Sequence, residues 1–224
     1  MVPPTRSVPP ASAAPTPPAL ILASKSPART KLLTEAGIPH QIVVSAVDED
    51  ALAAAHPEAT PSEMALLLAR AKAEAVASLP EAEGALVVGC DSVFEFEGEA
   101  LGKPYTPEVA TERLRAMSGR AGVLHTGHWL VDCRDGVVSS SGELASAGVE
   151  FTEMSEDDIA AYVATGEPLH CAGSFTIDGF GGAFLARVDG DPHTVVGLSV
   201  STLRALLTRA EVRLTDFWAR AVVG

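Results

Sequence analysis

Apolar runs of strand length alternate with amphipathic stretches from Leu20 onward, and this alternation predicts an α/β fold. "LIL" opens as a buried strand and breaks at "SKSPAR", where Ser26 is placed to cap a helix with Pro27 in its first position. Leu32, Leu33 and Ala36 share one face of that helix, and Gly37 ends it. "HQIVVSAV" reads as a second strand. "TPSEMALLLARAKAEAVAS" opens with a capping box from Thr60 to Glu63 and carries Met64, Leu67, Leu68, Ala71 and Ala75 at helical spacing, with Lys72 just beside the stripe. "ALVVGCDSVFEF" is a buried strand that runs into Asp91 and is read as ending there, and "EGEALGKP" is a glycine-containing turn carrying Lys103. "TPEVATERLRAM" is a helix closed by Gly119, and "VLHTGHWLVDCRDGVV" predicts a hairpin around Asp135-Gly136. Ser155 and the three acids after it start a helix that Gly166 ends. Glycines crowd "CAGSFTIDGFGGAF", where the backbone must turn sharply or approach something closely, and "SVSTLRALLTRA" is a final amphipathic helix.

Composition narrows what such a fold could do. The 224 residues, 47% of them hydrophobic, suit one sizeable domain or two small lobes sharing a core. Residues 1–18 are rich in Pro, Ala, Ser and Thr and lack the apolar stretch of a signal peptide; they read as a disordered extension ahead of a single domain over 19–224. A net charge of −13 argues against a nucleic-acid polymer as partner, since binding one needs a basic face. A small anion in a local basic pocket stays open, and only Lys25, Lys31, Lys72 and Lys103 supply ammonium groups. No stretch is long and apolar enough to span a bilayer, and Cys90, Cys133 and Cys171 are odd in number with no CxxC pair, so reduced thiols and a cytoplasmic location are expected.

Several residues carry both a chemical and a plain structural reading. Ser24, Ser26 and Arg29 sit at a strand-to-helix junction, where free N–H groups, hydroxyls and a guanidinium suit phosphate, or simply form an N-cap with a surface arginine. No P-loop pattern is present. Asp91 after an apolar run is costly to bury unless paired or bound to metal, or it caps a turn. Glu49 in "VDED" reads as an acidic loop, and Lys103 as either a fixed cation or a solvated turn. The histidines make no metal-ligand spacing; His125 and His128 fall on opposite faces of one strand. Cations with carboxylates are the parts of metal-assisted phosphoryl chemistry.

In this order the segments resemble the Maf family of nucleoside triphosphate pyrophosphatases. "SKSPAR" with "LL" and "GIP", "LARAKAEAVA", "VVGCDSV", "LGKP", "MSGR" and "AGSFTIDGFGGAF" with "DGDPHTVVGLS" carry the likeness over about residues 19–209. It implies a Maf/ITPase-like α/β fold: an elongated, curved mixed sheet flanked by helices, in two lobes with a central cleft, and commonly a homodimer. It implies cleavage of a nucleoside triphosphate between the α- and β-phosphates. On the same resemblance Asp91 is the proton acceptor, Glu49 and Asp91 hold Mg²⁺ or Mn²⁺, and Ser24, Ser26, Arg29, Lys72 and Lys103 hold the triphosphate.

The chain departs from the family pattern where specificity is set. The paired arginines appear as Ala28-Arg29, and the Thr and Gln of members preferring dTTP and UTP appear as Ser92 and Asp178. His170-Cys171 replace the common Asp-Lys, and Gly122 stands where the family has His after "SGR". "CAGSF" and the acid at 178 are more similar to the branch preferring 7-methylguanosine triphosphate, and a carboxylate there can accept from the N1–H and N2–H₂ edge of guanine. Two roles follow: a hydrolase clearing modified nucleotides, or a non-catalytic, nucleotide-sensing regulator of division. Retention of Asp91, Lys72 and Lys103 favours the hydrolase.

Overall fold

A computed structural model describes residues 17–136 and 139–220, so residues 1–16 of the expected extension lie outside the described residues. In chain order the elements are β1 (Ala19–Leu22), α1 (Pro27–Glu35), β2 (Gln41–Ile42), α2 (Glu49–Ala54), α3 (Pro61–Ala77), β3 (Ala85–Phe96), β4 (Glu99–Leu101), α4 (Pro107–Met117), β5 (Ala121–Asp132), β6 (Ser139–Phe151), α5 (Glu156–Ala164), β7 (Leu185–Asp189), α6 (Pro192–Val196) and α7 (Val200–Arg209). Short 3-10 turns link several of them. The strands form one mixed, seven-stranded sheet in the order β2-β1-β3-β5-β6-β7, with β4 folded back on the end of β3. β1 pairs in parallel with β2 and β3, as α-helical crossovers require, while β3, β5, β6 and β7 run antiparallel. The α/β class is thus borne out, and so is the hairpin of β5 with β6.

Three apolar clusters hang on the long strands. Leu86, Val88 and Cys90 of β3 join Leu33 of α1 and Leu203 and Leu206 of α7 on one face. Val87 joins Ile21, Val131 and Val76 under α3 on the other, as strand alternation demands. Beyond residue 93 of β3 a separate cluster forms, in which Phe94, Phe151 and Phe175 meet edge to face with centroids 5.0–6.1 Å apart. β3 therefore runs from one lobe into the other, and Asp91 and Ser92 sit between them.

Four local expectations need correction. β3 does not end at Asp91 but continues to Phe96, so this acid is held in the interior of a strand. "HQIVVSAV" pairs only at Gln41–Ile42, because β1 is four residues long and, past Leu22 O accepting from Val43, offers no further rung. "DED" is a helix start: Asp48 caps α2 through Ala51 N, and Glu49 and Asp50 lie at its positive end. The buried face of α3 is Ala65, Leu68, Ala69, Lys72, Ala73 and Val76, whereas Met64 and Leu67 are only half-buried. That face is small because α3 lies almost on the sheet: a Cβ on Gly89 would stand 2.3 Å from Ala69 O, and one on Gly127 2.3 Å from Ala65 O. Among the described residues no helix is long and apolar enough to cross a membrane.

Candidate active site

Ser26 caps α1 with its hydroxyl accepting from Arg29 N, and Ser24 Oγ accepts from Ser26 N at 3.2 Å. Arg29 is turned inward with 9% of its surface exposed. Its Nε donates to Gly197 O (2.7 Å), Nη1 to Ser24 Oγ (3.1 Å) and Nη2 to Ser92 Oγ (3.2 Å). Ser92 Oγ is 2.9 Å from Thr126 Oγ1, which itself donates to Thr194 O, so the Ser92 proton goes to Thr126 and its lone pair to Arg29. Three of the five guanidinium N–H groups are thereby used. Arg29 makes no ion pair among the described residues. A buried guanidinium with neutral partners and two spare donors is a site prepared for an anion.

Beside it, three elements bring three charges together. Lys72 of α3, 7% exposed, places Nζ 2.5 Å from Asp91 Oδ1 of β3 and 2.9 Å from Glu49 Oε1 at the start of α2. Burial raises the Asp91 carboxyl above the usual carboxylate range, and the charges of Lys72 and Arg29 offset only part of that. Burial also opposes charge on Glu49, yet the hydrogen bond and charge of Lys72, with Lys103 and Arg29 behind it, leave its carboxyl below the usual range. Lys103 is exposed after β4, close enough for its charge to reach both Glu49 and the half-buried Cys171 thiol.

A divalent cation is a fair fit here. Asp91 Oδ2 and Glu49 Oε2 have no hydrogen-bond partner among the described residues, and two hard carboxylates completed by water and phosphate oxygens are a normal Mg²⁺ or Mn²⁺ set. No cluster of three His, Cys, Asp or Glu ligands occurs among the described residues.

The structure brings Ser24, Ser26, Arg29, Glu49, Lys72, Asp91 and Lys103 together where the two lobes meet. It separates Asp91 from Ser92, whose side chains leave opposite faces of β3. Ala28 is half-buried on α1, and Asp178 is exposed with Oδ2 3.6 Å from Lys31 Nζ.

The family description of the Maf-like protein matches residues 19–210. The chain belongs to the Maf family. Relatives named nucleoside triphosphate pyrophosphatase include one from Streptomyces coelicolor, 52% identical over 90% of this chain and 95% of its own length. Those from Streptomyces avermitilis and Leifsonia xyli subsp. xyli are each 51% identical, over 89% and 92% of this chain and 94% and 99% of theirs.

Within this Maf fold, some site residues escape sequence reasoning. Glu167 is one: its Oε1 accepts from Tyr162 Oη (2.9 Å), Thr176 Oγ1 (2.5 Å) and Gly181 N (2.9 Å), and its Oε2 from Phe180 N (2.9 Å). Those bonds outweigh its burial and hold its carboxyl below the usual range. Glu167 thus ties down the loop that presents Asp178. Thr126 and Gly197 are others: Gly197 falls within the quoted "DGDPHTVVGLS", but its bond to Arg29, like that of Thr126 to Ser92, is made only across the fold.

Proposed function

We propose that a nucleoside triphosphate lies in this cleft with its phosphates on the N-terminus of α1, Ser24, Ser26, Arg29, Lys72 and Lys103, and is cleaved between the α- and β-phosphorus. The chain is a nucleoside triphosphate pyrophosphatase, the name borne by relatives at about half identity. Buried Arg29, which has no carboxylate partner among the described residues and keeps two N–H groups unused by them beside the Lys72-bridged acids, is the observation that most supports this reading.

Water adds to the α-phosphorus as the bond to the bridging oxygen breaks, giving nucleoside monophosphate and pyrophosphate. Asp91 Oδ1 is engaged by Lys72, so Oδ2 is the oxygen that would face both the ion and the water whose proton Asp91 accepts. Arg29, Lys72 and Lys103 offset the charge gathering on the leaving pyrophosphate without having to reorganise. Glu49 and Asp91 would hold the divalent ion, which when bound adds to that neutralisation.

For the base, Asp178 favours a guanine type, including its cationic 7-methylated form, over thymine or uracil, whose carbonyls would face its oxygens. The physiological role that follows is removal of modified nucleotides from the pool. The test is pyrophosphate release from GTP, 7-methyl-GTP, UTP, dTTP and CTP with Mg²⁺ or Mn²⁺. Asp91→Asn is expected to fold, bind nucleotide and lose about 10²- to 10⁴-fold in rate. Full turnover by that variant would remove Asp91 from its role, and no turnover by a native protein that binds nucleotide would favour the regulator.

A further inference from the structure

We infer that Lys31 is the second half of a base reader, its ammonium donating to guanine O6 while the two oxygens of Asp178 accept from N1–H and N2–H₂. The inference rests on the reading of Asp178 given above and assigns a partner to it. Lys31 comes from α1 and Asp178 from the glycine-rich loop, so the two meet across the cleft from different elements. At 3.6 Å they lie beyond hydrogen-bond contact, and their side chains are 57% and 37% exposed. A solvated pair of this kind stabilises a fold by little, so a ligand that satisfies both groups separates them at small cost.

Placement along α1 suits a nucleotide. Ser26 and Arg29 mark the phosphate end, and Lys31 follows five residues after Ser26, about 7–8 Å along the axis. That displacement is comparable to the span of a ribose between phosphate and base. Ala28 lies one turn earlier on the same face and has only a methyl group there, too small to fill the space. Cys171, in the loop that leads to Asp178, feels the charges of Glu167, Lys103 and Asp178, which places the phosphate lysine and the base carboxylate in one neighbourhood. Phe180, two residues after Asp178, is 66% exposed with its backbone N–H donating to Glu167, so an uncovered aromatic ring follows the carboxylate along the loop.

The hydrogen-bond pattern decides the base. One donor followed by two acceptors is the complement of the guanine edge, which offers an acceptor and then two donors. Hypoxanthine lacks the second donor. Uracil and thymine put an oxygen against a carboxylate oxygen, and adenine puts its amino group against the ammonium.

The experiment measures kcat/KM for pyrophosphate release from GTP, ITP, UTP and ATP, with calorimetric binding of GMP and AMP, for the wild type, Lys31→Met and Asp178→Asn. The wild type should prefer GTP to ATP, and GMP to AMP, by at least 10- to 100-fold, on the order of one bidentate edge contact. Lys31→Met should cut the GTP:ATP and GMP:AMP ratios by about 10-fold or more, and Asp178→Asn should abolish the advantage of GTP over ITP. Equal losses on GTP and ATP in Lys31→Met would place the ammonium on the phosphates, and unchanged ratios would make it a surface pair; either overturns the reader. Turnover with equal GMP and AMP binding would sink the reader and leave the pyrophosphatase, whereas selective GMP binding without pyrophosphate release would do the reverse.

Discussion

Lys72 is shared by Glu49 and Asp91, so removing its charge leaves two carboxylates converging on one point, one of them buried. Breaking a buried pair from one side costs about 3 kcal/mol or more, and Lys72→Met is expected to lose that much by urea unfolding at pH 7 together with most of its activity. Asp91 fixes the sign of the pH dependence. Its carboxyl is already raised by burial and rises further without Lys72, so the native state holds the extra proton and that stability fades as the pH rises. The deficit of Lys72→Met should therefore be small near pH 4 and grow toward neutrality; a deficit independent of pH would mean that Lys72 does not counter the Asp91 charge. The sequence marks each member of this triangle as chemically notable but not as a neighbour of the others. Glu49, Lys72 and Asp91 belong to α2, α3 and β3, and only the packing of those elements makes them one group.

Capping boxes, proline starts and glycine stops were enough to locate α1, α3, α4 and α5, because they are contained in the few residues that make them. The face that α3 buries was not legible, since hydrophobic size pointed to Met64 and Leu67 while the sheet selected alanines. Gly89 and Gly127 are the reason: they remove the side chains that would hold the helix off β3 and β5. Gly89→Ala places a methyl 2.3 Å from Ala69 O and 2.8 Å from Ala73 N, both backbone atoms that cannot step aside without moving α3. Overpacking of this kind costs about 1–3 kcal/mol or more, and lifting α3 draws Lys72 off Asp91, so kcat should fall along with the urea midpoint. Unimpaired stability and turnover in Gly89→Ala would show that the helix has room to spare.

The apolar clusters of the two lobes share one set of long strands, which makes the lobes interdependent, and β5 carries a titrating group into their interior. His128 is fully buried, its Nε2 accepting from Ser199 N at 2.8 Å, which joins β5 to the N-cap of α7. An acceptor Nε2 needs the neutral ring, and burial, with Arg29 nearby, lowers its pKa from 6.5 to about 4. Between those values the unfolded chain binds a proton that the native protein refuses, so ΔG of unfolding rises with pH through this window and falls as the pH drops. The loss amounts to an order of 3 kcal/mol by pH 4, after which both states are protonated and this contribution levels off. Carboxylates held below their usual range, such as Asp132 on Arg134, begin to act only below about pH 5, at the foot of this window. Urea unfolding of the whole chain at half-unit steps from pH 7 to 4 separates the two. His128→Gln resets the absolute stability but cannot titrate, so its curve should flatten between pH 6.5 and 4; a slope equal to that of the wild type would mean that the imidazole is not the group that charges on unfolding.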